Sequence, residues 1–162
     1  MKNQTRLIVL SALLAALTCV ATMVIKIPSP MKGYLNLGDC VVLLSGWMLP
    51  PFYGALAAGL GSALADLFSG YVTYVPATFL IKAAMALVAH FLVHNRTATL
   101  SRRVFSGVCA ELIMVLGYLA FETLLYGFLP SLPNVLPNAL QGVAGLVLGL
   151  ALVKIFEKSN LL

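Results

Sequence analysis

The sequence predicts an all-α membrane protein, a bundle of six transmembrane helices with both termini on the cytoplasmic side. Three observations predict it. Of 162 residues, 61% are hydrophobic and only 9% are charged, against about 25% charged in soluble domains. Apolar runs recur along the whole chain, and six spans of about 20 residues would occupy roughly 120 residues. The basic residues lie at the ends of those runs and divide unequally between the two sides. The bounds leave room for one domain, residues 1–162, and for no second soluble unit.

The first span is expected over Leu7–Ile27. It is longer than a signal-peptide core and is kept as a span. Ser11, Ala12, Ala15, Ala16 and Cys19 recur at spacings of three and four, a strip of small side chains that lets another helix approach. Pro28 and Pro30 end the helix, and Gly33-Tyr34 permits a turn. The second span, Leu35–Leu49, is short for a full crossing, and an irregular start is expected. Pro50-Pro51 joins it tightly to the third, Phe52–Phe68, whose many Gly, Ala and Ser residues predict burial among close neighbours.

A loop is expected from Ser69 to Pro76, then a fourth span over Ala77–Val93. His94, Asn95, Arg96, Arg102 and Arg103 read as a basic loop before a fifth span, Val104–Phe128. A proline-bounded loop, Leu129–Pro133, leads to the sixth, Asn134–Phe156, with Gly145 and Gly149 in GxxxG spacing. With both termini inside, Lys2, Arg6, Arg96, Arg102, Arg103, Lys154 and Lys158 are cytoplasmic, and only Lys26 and Lys32 lie outside. The net charge of +5 is therefore a topology signal and not a nucleic-acid footprint.

That orientation gathers scattered polar residues at the outer side. Asn36 and Asp39 open the second span, and Asp66 closes the third. Tyr71 and Tyr74 belong to the loop above, with Lys82 about 12 Å deeper than Tyr74 at 1.5 Å per residue. Glu122 and Tyr126 lie toward the outer end of the fifth span, and Asn134, Asn138 and Gln141 descend the sixth. A charge such as Lys82 inside an apolar run costs roughly 2.5–3.5 kcal/mol. Such a cost is tolerated where the group is paired or serves a polar cavity, and Asp66 or Glu122 is the expected partner. A structural ion pair would explain Lys82 alone. An outward-facing ligand cavity explains more of the cluster at once. The candidate substrate-binding set is Asn36, Asp39, Asp66, Tyr71, Tyr74, Lys82, Glu122, Tyr126, Asn138 and Gln141. Glu111 is the exception, placed in the inner half.

Other chemistry is poorly represented. Cys19, Cys40 and Cys109 are odd in number, lack CxxC spacing and read as packing residues. His90 and His94 share a helix face at i,i+4, yet no HExxH or further ligand set accompanies them. Trp47 reads as an interfacial anchor. There is no GxxxxGK[ST] phosphate loop and no readable nucleophile–base pair. No cofactor, metal or enzymatic activity is expected.

The block GYLNLGDCVVLLSGWMLPPFYGALAAGLGSALADLFSGY, the following YVPATFLIKAAMAL and the opening Ala12-x-x-x-Ala16 strip together resemble the substrate-binding S component of an energy-coupling factor (ECF) vitamin transporter. The resemblance extends over nearly the whole chain. Pro50-Pro51 departs from it, since related sequences more often read Gly-Pro there. The resemblance implies a protein of a bacterial-type plasma membrane that captures a water-soluble vitamin outside. It implies docking through Ala12 and Ala16 on a membrane coupling (T) subunit that works with two cytoplasmic ATPases, and transport by toppling in the bilayer. The three acids, one lysine, amides and tyrosines suit a pyridine or pyrimidine, such as a vitamin B6 form or hydroxymethylpyrimidine. Riboflavin is the alternative substrate. The rival classes are a solitary facilitator or channel, an integral membrane enzyme and a structural membrane subunit.

Overall fold

A computed structural model describes residues 2–28, 34–94 and 99–158. Among the described residues, six helices form one bundle: α1 (Lys2–Val24), α2 (Gly38–Met48), α3 (Pro51–Phe68), α4 (Val75–Val93), α5 (Leu100–Tyr126) and α7 (Val135–Lys158). The short α6 (Phe128–Ser131) and a 3-10 turn (Leu132–Asn134) precede α7. Two short strands, β1 (Ile27–Pro28) and β2 (Tyr34–Leu35), pair antiparallel, with Ile27 opposite Leu35 and Pro28 opposite Tyr34.

Four segments are long and apolar enough to cross a membrane: Gln4–Val24, α4, α5 and Phe128–Lys158. Large apolar side chains cover the outside, among them Leu13, Val20, Phe52, Leu80, Phe91, Leu116 and Val147. Water would not tolerate so continuous an apolar surface, whereas lipid would. The protein is a multi-pass membrane protein.

α2 is the central staff. Every residue from Gly38 to Gly46 is buried, and the helix packs against α1, α3, α4 and α7. Its late start bears out the irregular entry expected from sequence. Asn36 Oδ1 accepts from the Gly38 amide at 2.9 Å, satisfying one free donor of the first turn. α3 follows after Pro50, with Pro51 at its first position, where a missing N–H costs nothing. Its small residues allow backbones to meet: a Cβ on Gly61 would lie 2.4 Å from the Ala15 carbonyl of α1.

Several boundaries differ from expectation. α5 begins at Leu100, so Arg102 and Arg103 sit in its first turn and not in a loop. Arg103 is tied to Glu157 of α7 by two hydrogen bonds. Leu129–Pro133 is largely helical, because prolines early in a helix offer a fixed φ and lose no internal bond. Gly127, at φ 91°, supplies the sharp break after α5 that no L side chain adopts easily. Pro30, Lys32, Gly33, Asn95 and Arg96 lie outside the described residues.

The start of α2, the ends of α3 and α5, the starts of α4 and α7, and the hairpin all lie at one end of the bundle, the hairpin end. The starts of α1 and α5 and the ends of α2, α4 and α7 lie at the other.

Candidate functional site

Polar side chains converge at the hairpin end because three helices present them at one-turn spacing. α4 contributes Tyr74, Thr78 and Lys82, and α5 contributes Tyr118 and Glu122. Asn134, in the 3-10 turn, is followed by Asn138 and Gln141 on α7. Residues four apart lie on one helix face. Asp66 reaches in from the last turn of α3, Tyr71 from the turn that follows, and Tyr34 and Asn36 from the hairpin strand and its exit. These residues, except Lys82, line one cleft with a cavity volume of about 40 Å³. That is room for a few water molecules, so a vitamin-sized solute enters only if a wall moves.

Each acid has a defined role. Asp66 accepts from the Tyr34 hydroxyl at 2.7 Å and from Thr78 Oγ1 at 2.5 Å. Thr78 Oγ1 also lies 3.0 Å from the Tyr118 hydroxyl. Glu122 Oε1 accepts from Asn134 Nδ2 at 2.9 Å and from the Tyr74 hydroxyl at 3.4 Å. Glu122 Oε2 is buried with no hydrogen-bond partner.

Beneath the cleft lies a second layer. Lys82 forms an ion pair with Asp39, both almost wholly buried. Asp39 Oδ2 accepts from Gln141 Nε2 at 2.6 Å, and Gln141 Oε1 in turn accepts from the Asn36 amide at 2.9 Å. The expected partner of Lys82, Asp66 or Glu122, is thus corrected to Asp39. The reason is that α2 starts deep, which brings its first-turn carboxylate level with Lys82. Gly145 of α7 makes room there, since a Cβ on it would fall 2.6 Å from the Asp39 Cβ.

Aromatic rings form a chain, of which three tyrosines line the cleft. The Tyr34 and Tyr71 rings are 4.9 Å apart, Tyr71 and Tyr74 are 6.4 Å apart, and Tyr74 and Phe121 are 5.3 Å apart. The Lys26 ammonium sits 5.3 Å above the Tyr34 ring and donates to Ser69 Oγ. It thereby fastens the hairpin to the C-terminal end of α3. Burial, and then the neighbouring Asp66 carboxylate, push the Tyr34 phenol above its ordinary range, which keeps it a neutral donor.

Of the ten binding residues expected from sequence, the cleft is lined by Asn36, Asp66, Tyr71, Tyr74, Glu122, Asn138 and Gln141. Asp39 and Lys82 lie one layer below. Tyr126, the last residue of α5, does not line the cleft. Tyr34, Thr78, Tyr118 and Asn134 were not in that set. Thr78 lies four residues from both Tyr74 and Lys82, and Tyr118 lies four before Glu122, so helical spacing alone could have found both.

Residues away from the cleft also find their places. Trp47 Nε1 donates to Ser106 Oγ at 2.9 Å, joining α2 to α5 in addition to any interfacial role. His90 Nδ1 lies 3.2 Å from the Gly46 carbonyl, and its ring stacks on His94. Ala12 and Ala16 are exposed on the outer face of α1, while Ala15 turns inward against α3.

A family described as "ECF-type riboflavin transporter, S component" matches residues 2–158. This chain belongs to that family. Its members are transport components and not enzymes. Among solved structures, one reported as "Structure and mechanism of the S component of a bacterial ECF transporter" superposes with a TM-score of 0.79. The two share 22% identity, over 96% of this chain and 97% of the other, a likeness of fold. An "Uncharacterized protein in gap 3'region" of Pyrococcus woesei is 33% identical over 140 residues, 86% of this chain and 93% of its own. As an S component, the chain serves vitamin uptake across a membrane, and the hairpin-end cleft is the natural candidate for its substrate site.

Proposed function

We propose that this chain captures riboflavin at the hairpin end and passes it inward with a membrane coupling subunit and two cytoplasmic ATPases. The observation that carries this reading is one cleft lined both by the rings of Tyr34, Tyr71, Tyr74 and Tyr118 and by amides and carboxylates, within a family named for riboflavin transport. A planar ring system stacks on the first and hydrogen-bonds to the second. The hairpin end faces outside and both termini face the cytoplasm, in keeping with the seven-to-two division of Lys and Arg. The turn from Ser69 to Tyr74 is the lid, and the Lys26–Ser69 bond ties it down to the hairpin. Ala12 and Ala16 are the small-residue contact for the coupling subunit.

A pyridine or pyrimidine is the second reading, favoured by the small cavity of about 40 Å³. Fluorescence titration of purified protein with riboflavin, competed with pyridoxine and hydroxymethylpyrimidine, tests the choice. Quenching of flavin emission that the smaller rings do not reverse is expected. Displacement by either ring at comparable concentration selects the second reading.

A further inference from the structure

We infer that Glu122 is the specificity residue of the cleft, its unpartnered Oε2 accepting the ring imide N–H of the flavin. The inference rests on the riboflavin reading and adds to it the edge of the ring that the protein recognises.

The assignment follows from accounting for each carboxylate. Asp66 spends one oxygen on Tyr34 and the other on Thr78. Asp39 lies below the cleft and is spent on Lys82 and Gln141. Glu111 does not line the cleft. Glu122 does, is 97% buried by its relative exposure of 3%, and has one oxygen occupied and one without a partner. Among the described residues it is the one cleft-lining acid with an oxygen that accepts no hydrogen bond.

A buried carboxylate oxygen left unpaired is costly in the empty protein. A ligand that brings an N–H relieves that cost, and one that lacks the N–H does not. Sites of this kind reject the analogue missing the donor far more strongly than an apolar pocket rejects a missing methyl. The imide N–H of a flavin lies between two carbonyls, and Asn138, which lines the same cleft, carries an amide able to donate to one of them. Asn134 and Tyr74, both bonded to Oε1, fix the rotation of the carboxylate.

The experiment compares riboflavin with its N3-methyl derivative by fluorescence titration of detergent-solubilised wild type and Glu122→Met. Wild type is expected to bind the methylated flavin about tenfold to a hundredfold more weakly, and Glu122→Met to bind the two about equally. Should Glu122→Met fail to fold, Glu122→Gln serves. A neutral bond is about half as strong as a charged one, so the discrimination falls to about three- to tenfold. Equal binding of both flavins by wild type overturns the inference, whatever the variants do. So does a variant that keeps the full wild-type discrimination. A wild type that binds neither flavin but binds a pyridine or pyrimidine fails the riboflavin reading itself, and the inference falls with it.

Discussion

Lys82 and Asp39 pair inside the bundle, one helical turn below Thr78 and just beneath the lining of the cleft. Their burial makes the pair a structural element first. Removing one partner leaves a lone charge in the core, which typically costs about 3–5 kcal/mol. Lys82→Met should therefore lower the thermal stability and yield of the purified protein sharply. The combined Lys82→Met, Asp39→Asn protein should recover much of the loss. Ligand affinity in the protein that folds should change by less than that of cleft variants. A Lys82→Met protein of normal stability and lost affinity would place Lys82 in the binding site instead.

Tyr34 should make stability depend on pH in the alkaline range. Its phenol titrates higher in the folded protein than in the unfolded chain, so unfolding releases a proton once the pH passes its ordinary value near 10. Stability contributed by the neutral phenol is complete below about pH 10 and declines above it. Thermal melts should show the decline in wild type and a shallower one in Tyr34→Phe. The variant should also lose about 0.5–1.5 kcal/mol at neutral pH with its bond to Asp66. Parallel pH profiles for the two proteins would refute this account.

Ala12→Leu and Ala16→Leu should separate binding from transport. Both positions are exposed and face away from the bundle core, so folding and ligand affinity should stay near wild type. Uptake with the coupling subunit and ATPases should fall strongly, because a bulky side chain holds two helices apart. Normal uptake by both variants would move the docking surface elsewhere.

Orientation can be read by labelling single cysteines in intact cells. Leu129 is 75% exposed at the hairpin end and should react with an impermeant reagent from outside. Thr99, at the opposite end beside α5, should react only after permeabilisation. Ser131 is buried and unsuitable for the purpose. The reverse pattern would invert the topology.

The six long helices were legible because apolar runs bounded by prolines and charges admit little else in lipid. The gathering of polar residues at the hairpin end was legible too, from their places near the ends of successive apolar runs. What escaped was whatever depended on packing. The partner of Lys82 is set by how deep α2 begins, and the offset of about three residues between Leu35 and Gly38 decides it. The hairpin is only two residues long on each side and includes a proline, so neither alternation nor composition announces it. The division of the α1 strip, with Ala15 inward and Ala12 and Ala16 outward, depends on which face α3 occupies.

The brevity of α2 has a consequence for the journey of a solute. Eleven residues rise only about 16 Å, roughly half of a 30 Å hydrocarbon layer. On the proposed reading, with the far end of α2 at the opposite lipid boundary, its first turn stands near the middle of the bilayer and the cleft above is a vestibule sunk into it. A molecule resting on that floor has already travelled about half of the low-dielectric barrier, with protein dipoles replacing its water on the way. On the proposed reading, the work left for the partner ATPases is mainly to carry the vestibule's opening from one face to the other.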